Sequence, residues 1–223
     1  MKTILITGAN RGIGLALTRH LAERGDEVIA VCRQSSEALA QTGARIEIGG
    51  DVTDDAALMA LALRLRDTRI DQLWLNAGIL EREALGKVDA AGFDSMRRQF
   101  EVNALGPLRV AQALLGQLGK GSKIGILTSR MGSVADNGSG GYYGYRASKA
   151  AVNAIGKSLA IDLAPRGIGV FLLHPGYVAT DMVGGSGDIS PAEAAAQLIA
   201  RLESLAMEQT GSFWHANGNP LPW

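Results

Sequence analysis

Ile4-Leu5-Ile6-Thr7-Gly8-Ala9-Asn10-Arg11-Gly12-Ile13-Gly14 sets a short apolar run against a loop with glycines at positions 8, 12 and 14. The run reads as a strand, and Ile13 to Arg24 reads as a helix stopped at Gly25. A strand, a glycine turn and a helix N-terminus in that order form an anion seat. Glycine lets a pyrophosphate approach the backbone, and the first helical N–H groups point at it. The spacing is Gly-x-x-x-Gly-x-Gly, not the commoner Gly-x-Gly-x-x-Gly, but the physics is shared. Gly8, Asn10, Arg11, Gly12, Ile13 and Gly14 are therefore candidate contacts for a dinucleotide.

Downstream of this turn, apolar runs alternate with helical stretches. Strands are expected at Glu27–Cys32, Arg45–Ile48, Gln72–Leu75, Lys123–Thr128 and Ile168–Leu173, with a last one at Gly211–Trp214. Helices are expected at Asp54–Arg66, Phe93–Leu118, Arg146–Ala164 and Pro191–Met207. Such alternation implies right-handed crossovers. The expected fold is a single α/β domain over residues 1–223: a Rossmann-type, doubly wound parallel sheet with helices on both faces. The glycine-rich stretches 138–141 and 184–187 follow strand ends and read as loops at the ligand-binding edge.

Composition narrows the functional classes. Basic and acidic residues number 22 each, so no net field draws the chain to nucleic acid or an anionic membrane. The N-terminal apolar run is too short for a signal core or a membrane span. One cysteine, Cys32, excludes an internal disulfide and fits a reducing compartment, so a cytoplasmic address is expected. His20, His174 and His215 lie far apart without ligand spacing, and no metal site is expected. Cys32 and Trp74 read as packing residues, and His174 as a hydrogen-bonding group near the site.

The end of the second strand selects the nucleotide. An acidic residue there would bind both ribose hydroxyls of NAD. This chain has Cys32-Arg33 instead, with Arg11 in the glycine loop. Two guanidiniums suit a 2′-phosphate, which favours NADP(H) over NAD(H).

Gly144-Tyr145-Arg146-Ala147-Ser148-Lys149 carries the second chemical signal. Reduction of a carbonyl needs a proton donor at the developing alkoxide. Tyr145 and Lys149, four apart, share a helix face. A nearby ammonium, together with the positive nicotinamide ring of an oxidised cofactor, is expected to lower the phenol pKa from its ordinary value of about 10. Tyr142 and Tyr143 lack a lysine at that offset. Ser129, closing the fifth strand, can polarise the substrate oxygen, with Thr128 and Ser133 as alternative hydroxyls. Pro107 follows Asn103 by four and has no N–H for the Asn103 carbonyl, so the helix is expected to kink there.

Thr7–Gly14, Asp51-Val52, Asn76-Ala77-Gly78, Asn103, Ser129, Tyr145/Lys149 and Pro175-Gly176 with Thr180 occur in an order that resembles the short-chain dehydrogenase/reductases. The resemblance covers nearly the whole chain. His174-Pro175-Gly176-Tyr177-Val178-Ala179-Thr180-Asp181-Met182 and the final Leu221-Pro222-Trp223 are similar to the branch containing Sniffer carbonyl reductases and C-factor-like proteins. It implies that Asp51 contacts the adenine amino group and Val52 its ring. It places Asn76, Ala77 and Gly78 along the cofactor, and Pro175, Gly176, Val178 and Thr180 at the nicotinamide amide. It implies that Ser129, Tyr145, Lys149 and Asn103 are catalytic, with the Asn103 carbonyl holding a water that leads to Lys149. Lys149 would also reach the nicotinamide ribose.

The expected activity is NADPH-dependent reduction of a ketone or aldehyde, or the reverse oxidation. The alternative is a non-enzymatic, NADP(H)-gated signalling protein. The short segment Thr180–Ile189 predicts an open site, tolerant of varied carbonyls, and the two long helices suggest a homodimer.

Overall fold

A computed structural model describes residues 1–223. Seven parallel strands form one sheet in the order β3-β2-β1-β4-β5-β6-β7. They are β1 (Thr3–Thr7), β2 (Glu27–Cys32), β3 (Arg45–Ile48), β4 (Ile70–Leu75), β5 (Leu118–Leu127), β6 (Gly169–His174) and β7 (Phe213–His215). The helices are α1 (Gly12–Glu23), α2 (Glu37–Ala40), α3 (Asp55–Arg64), α4 (Ala90–Phe100), α5 (Gly106–Ala113), α6 (Tyr143–Leu163) and α7 (Pro191–Ser204). The doubly wound sheet expected from the sequence is present.

Strand residues alternate between two buried layers. Leu5, Ile29, Leu73, Ile124 and Val170 pack on one face with Leu58, Val110, Leu114 and Val152 of α3, α5 and α6 and the turn after α5. Ile4, Ile6, Val28, Trp74 and Phe171 pack on the other with Leu17, Leu21, Leu198 and Leu202 of α1 and α7. Burial on both faces explains why the strands read as continuous apolar runs. Trp74 and Cys32 are buried packing residues, as expected.

Helix boundaries follow local chemistry. Asp54 and Asp89 cap α3 and α4 with their carboxylates. Ser190 and Glu193 form a reciprocal capping box ahead of Pro191 at the start of α7. At its other end, the Lys123 ammonium donates to the carbonyls of Leu202, Glu203 and Leu205.

The expected helix Phe93–Leu118 is not continuous. It divides into α4, a five-residue π turn at Glu101–Leu105, and α5, and it ends at Ala113. Pro107 is the cause: it has no N–H for the Asn103 carbonyl, and its ring would clash with that oxygen in a regular helix. The Gly106 N–H instead reaches five residues back to Glu101. The expected kink is therefore a π turn, a device found often at functional sites. Leu118 belongs to β5, which begins earlier than Lys123 because Leu118 pairs with Ile70 across a register shift. The last helix also ends short of Met207, at Ser204. No helix is long and apolar enough to cross a membrane.

Strand order reverses between β1 and β4, whose pairing holds Ile4–Ile6 against Gln72–Trp74. Neighbouring connections leave in opposite directions there, which opens a crevice beyond the strand C-termini.

Candidate active site

The glycine loop lies in this crevice. A Cβ on Gly14 would sit 2.2 Å from the Gly8 carbonyl oxygen and 2.5 Å from Asn76 Nδ2. Gly14 is thus required by the close approach of α1 to β1. Arg11, at the N-cap of α1, makes no side-chain cap, and the first turn carries no acid. The helix N-terminus remains available to an anion.

Asn76 holds the loop rather than facing outward. Its Nδ2 donates to the carbonyls of Thr7 at 2.9 Å and Gly8 at 3.1 Å. Thr7 Oγ1 accepts from the N–H groups of Asn76 and Ala77. Ser36 was not singled out in the sequence. Its hydroxyl donates to the Asn10 carbonyl at 2.8 Å and accepts from the Leu39 N–H at the start of α2. The serine before Glu37 was the available signal, since such residues cap helices.

Arg33 is 73 % exposed at its side chain and stands 4.0 Å from Asp51. Burial opposes ionisation of Asp51, but the Thr53 N–H and hydroxyl and the Arg33 guanidinium outweigh it and hold the carboxyl below its ordinary range. Val52 is buried beside Gly106 of α5. Across the crevice, Thr180 Cγ2 lies 3.5 Å from where a Gly12 Cβ would stand. The segment after β6 therefore closes on the glycine loop. Val178 bridges to Ile189, and Tyr177 accepts from the N–H groups of Asp188 and Ile189, pinning this segment at its base.

Ser129, Tyr145, Lys149 and Asn103 converge from the end of β5, from α6 and from the π turn. Each is nearly buried: 6 %, 9 %, 5 % and 1 % exposed. The Ser129 Oγ accepts from the Met131 N–H at 3.1 Å, so its own proton is left to donate. The alternatives are committed: Thr128 Oγ1 donates to Asn153 at 2.7 Å, and Ser133 Oγ donates to the Trp223 carbonyl at 3.2 Å.

Asn103 Nδ2 donates to the Ile79 carbonyl and to Ser148 Oγ, and its Oδ1 accepts from the Ile79 N–H. It clamps the loop after β4 to α6. A Cβ on Gly78 would stand 3.2 Å from Asn103 Oδ1 and 3.7 Å from Lys149 Nζ, so this glycine keeps the space between them open. Lys149 Nζ donates to the Leu127 carbonyl at 2.9 Å and lies 5.7 Å from the centre of the Tyr145 ring. Two of its three donors remain uncommitted.

The protein groups alone do not lower the Tyr145 phenol. Tyr145 is pushed up to about 12, not lowered, because burial disfavours the phenolate; the Ser129 hydroxyl opposes this only in part. Burial likewise pulls Lys149 down to about 8. The pair shares one dry place, where the loss of hydration dominates both groups.

His174 is also not the hydrogen-bonding group expected. Its Nδ1 is buried without a partner, and its ring meets His215 edge-on at 4.8 Å. Burial, then His215 and Arg130, hold it down at about 3, so it is neutral.

The lowered pKa of Lys149 has a measurable consequence. Below about pH 8 the folded protein must bury a charge. Between about 8 and the ordinary 10.5 the unfolded chain binds a proton that the folded protein has released, so stability rises with pH. Above 10.0 the folded protein keeps the Tyr145 proton that the unfolded chain loses, which opposes the gain. Lys149→Met is therefore expected to melt above the wild type at pH 7, with the gap narrowing from pH 8 upward. Calorimetry across that range checks it; a lower melting temperature at pH 7 would contradict it.

Known proteins fit this geometry. The family model described as short chain dehydrogenase matches residues 2–189. A "1-hydroxy-2-glutathionyl-2-methyl-3-butene dehydrogenase" of Rhodococcus sp. (strain AD45) is 43 % identical, over all of both chains. Among solved structures, the carbonyl reductase Sniffer of D. melanogaster superposes with a TM-score of 0.90 at 31 % identity, covering both chains completely. An NADPH-bound carbonyl reductase from chicken fatty liver gives 0.89 at 28 % identity, over 100 % of this chain and 99 % of its own. With its glycine crevice, its π turn and its buried Ser-Tyr-Lys group, this chain belongs to the short-chain dehydrogenase/reductase family, in the company of its carbonyl reductases.

Proposed function

We propose that the protein is an NADPH-dependent carbonyl reductase, with alcohol oxidation as the reverse reaction. One observation carries the reading: Ser129 and Tyr145, each with a proton to give, meet in a nearly dry place at the mouth of the cofactor crevice. The crevice fits a dinucleotide, since the α1 N-terminus is uncapped and its first turn carries no acid. Gly8, Asn10, Gly12, Ile13 and Gly14 would hold the pyrophosphate side, and Arg11 and Arg33 the 2′-phosphate. Asp51 and Val52 would receive adenine. Ala77, Gly78, Pro175, Gly176, Val178 and Thr180 would border the nicotinamide.

Bound NADPH supplies the hydride. Ser129 donates a hydrogen bond to the carbonyl oxygen and orients it. Tyr145 gives its proton to the alkoxide as hydride arrives at carbon. A phenol held at about 12 is fully protonated at neutral pH, the form a reductase needs. Lys149, with its uncommitted donors, would return a proton to Tyr145 and be resupplied from solvent through a water that the Asn103 carbonyl, denied the Pro107 N–H, would hold.

The relative from Rhodococcus is named a dehydrogenase of a hydroxy compound, and the NADPH-bound neighbour is a reductase. Both directions use the same groups. The short Thr180–Ile189 segment supports an open site for varied carbonyls. A cytoplasmic homodimer completes the reading, with Phe93, Phe100 and Leu108 of α4 and α5 and Ile161 of α6 exposed for contact.

The test is cofactor titration followed by NADPH oxidation with aldehydes, diketones and quinones. Charge-assisted hydrogen bonds are worth about 1.5–3 kcal/mol, or about tenfold to a hundredfold each in affinity. The Arg11→Ala/Arg33→Ala variant is expected to bind NADPH about a hundredfold more weakly or worse, with NADH changed less than about twofold. Equal losses for both cofactors would remove the 2′-phosphate reading. Tight binding with no turnover of any carbonyl would favour a cofactor-gated binding protein instead.

A further inference from the structure

Tyr145 is the third residue of helix α6, and the start of that helix is poorly secured by its own residues. Its N-cap, Tyr142, contributes no side-chain cap. Tyr142 is also the only residue other than glycine with a positive φ, at 51°. A left-handed tyrosine stores strain that the surroundings must hold. The first helical N–H groups need acceptors from elsewhere.

One comes from the loop after β4. Glu83 is 9 % exposed, and its Oε2 accepts from the Gly144 N–H at 3.1 Å. Its Oε1 accepts from Gln99 Nε2 of α4 at 2.5 Å. No cationic side chain pairs with it. Gln99, fully buried, is oriented in turn, because its Oε1 accepts from the Glu81 N–H at 3.1 Å. The fit around Gly144 is close: a Cβ there would fall 2.7 Å from Gln99 Nε2 and 2.9 Å from Glu83 Oε1. The adjacent Arg82 lays its guanidinium over the Tyr142 ring, 5.2 Å from its centre. Two consecutive loop residues thus grip the strained entry to the helix.

We propose that Glu83 is a positioning residue for the reaction at Tyr145: its carboxylate caps α6 through the Gly144 N–H and, held by Gln99, fixes where the phenol stands against Ser129. This rests on the reading of Tyr145 as the proton donor. A carboxylate is required because the site presents two donors, Gly144 N–H and Gln99 N–H. An amide has one acceptor. Glu83→Gln can keep Gly144 only by turning its own NH₂ against that of Gln99. Rotating Gln99 would relieve this but give up the Glu81 N–H. Adding Gln99→Glu reverses the central bond and satisfies every partner of this set: the new carboxylate accepts from both the Glu81 N–H and the new amide at position 83, whose oxygen keeps Gly144. Only the weak 3.4 Å contact of Gln99 to Ser95 is lost.

The experiment measures kcat, NADPH Kd and melting temperature for wild type, Tyr145→Phe, Glu83→Gln and Glu83→Gln/Gln99→Glu. Small misplacements of a reacting group cost up to about a hundredfold. Glu83→Gln is expected to lose about tenfold to a hundredfold in kcat, with NADPH Kd within about twofold, and the double variant to recover most of the loss. Glu83→Gln with kcat within about twofold of wild type would overturn the proposal, as would an unrecovered double variant that melts at the wild-type temperature. A parallel fall in NADPH affinity would also overturn it, since it would assign Glu83 to the fold of the crevice. If Glu83→Gln does not fold, the double variant alone decides. Turnover that persists in Tyr145→Phe sinks the underlying reading, and shows in that control separately from any Glu83 effect.

Discussion

Tyr145→Phe is expected to lower kcat by about a thousandfold or more while NADPH still binds, general-acid groups being worth about 10²–10⁴ in rate. The ring is nearly buried, so phenylalanine keeps the packing and removes one oxygen. The lost group is the proton source. Burial keeps that phenol neutral, and the Ser129 hydroxyl is its close neighbour. Ser129 remains in the variant and still orients the carbonyl, which leaves a residual rate. Tyr142 and Tyr143 cannot substitute: neither has a lysine four residues on, and Tyr142 turns toward Arg82. Steady-state kinetics with titrated cofactor check this. A loss smaller than about tenfold would show that the proton comes from elsewhere.

Gly14→Ala is expected to weaken NADPH binding by about a hundredfold or more, since two charge-assisted hydrogen bonds from backbone N–H groups are worth about 3–6 kcal/mol. The added methyl falls 2.2 Å from the Gly8 carbonyl oxygen, a distance no unbonded carbon and oxygen tolerate. Either α1 or the loop must withdraw, and both carry the N–H groups that would face the pyrophosphate. Asn76 cannot absorb the change, because its Nδ2 lies 2.5 Å from the same point and is tied to Thr7 and Gly8. Overpacking of this kind costs about 1–3 kcal/mol of stability, so the protein should remain folded with a melting temperature lower by about 2–12 °C. Fluorescence titration and calorimetry separate the two effects. Affinity within about tenfold of wild type would mean that the α1 N-terminus is not the phosphate seat.

Much of this was legible in the chain because local and tertiary demands agree. β2 and β3 lie where Glu27–Cys32 and Arg45–Ile48 were read, the first as a compact apolar run and the second as a short alternation of charged and apolar residues. The helix Phe93–Leu118 failed at both levels that sequence handles poorly. The apolar pattern runs on through Leu114 and Leu115, yet Leu118 is claimed by β4 through Ile70, a partner 48 positions away. The Pro107 kink was readable, but its resolution as a π turn depends on the packing of Asn103 against Ile79 and Ser148. At the site, the i, i+4 spacing of Tyr145 and Lys149 gave their shared face. It could not show how dry that face is, nor that among the protein groups alone burial raises Tyr145. Glu83 and Gln99 gave no signal, since a lone loop carboxylate becomes a cap only when α4 and α6 close around it.

The most direct test of hydride transfer to a carbonyl is a turnover with NADPH deuterated at the transferring carbon. Wild-type protein and a reactive diketone are used, with Tyr145→Phe in parallel. The expected product carries its new hydroxyl on a carbon bearing deuterium, formed one for one with NADP⁺, with almost none from the variant. Bound NADPH that never delivers its deuterium to any carbonyl, or delivers it equally well without the Tyr145 hydroxyl, would contradict it.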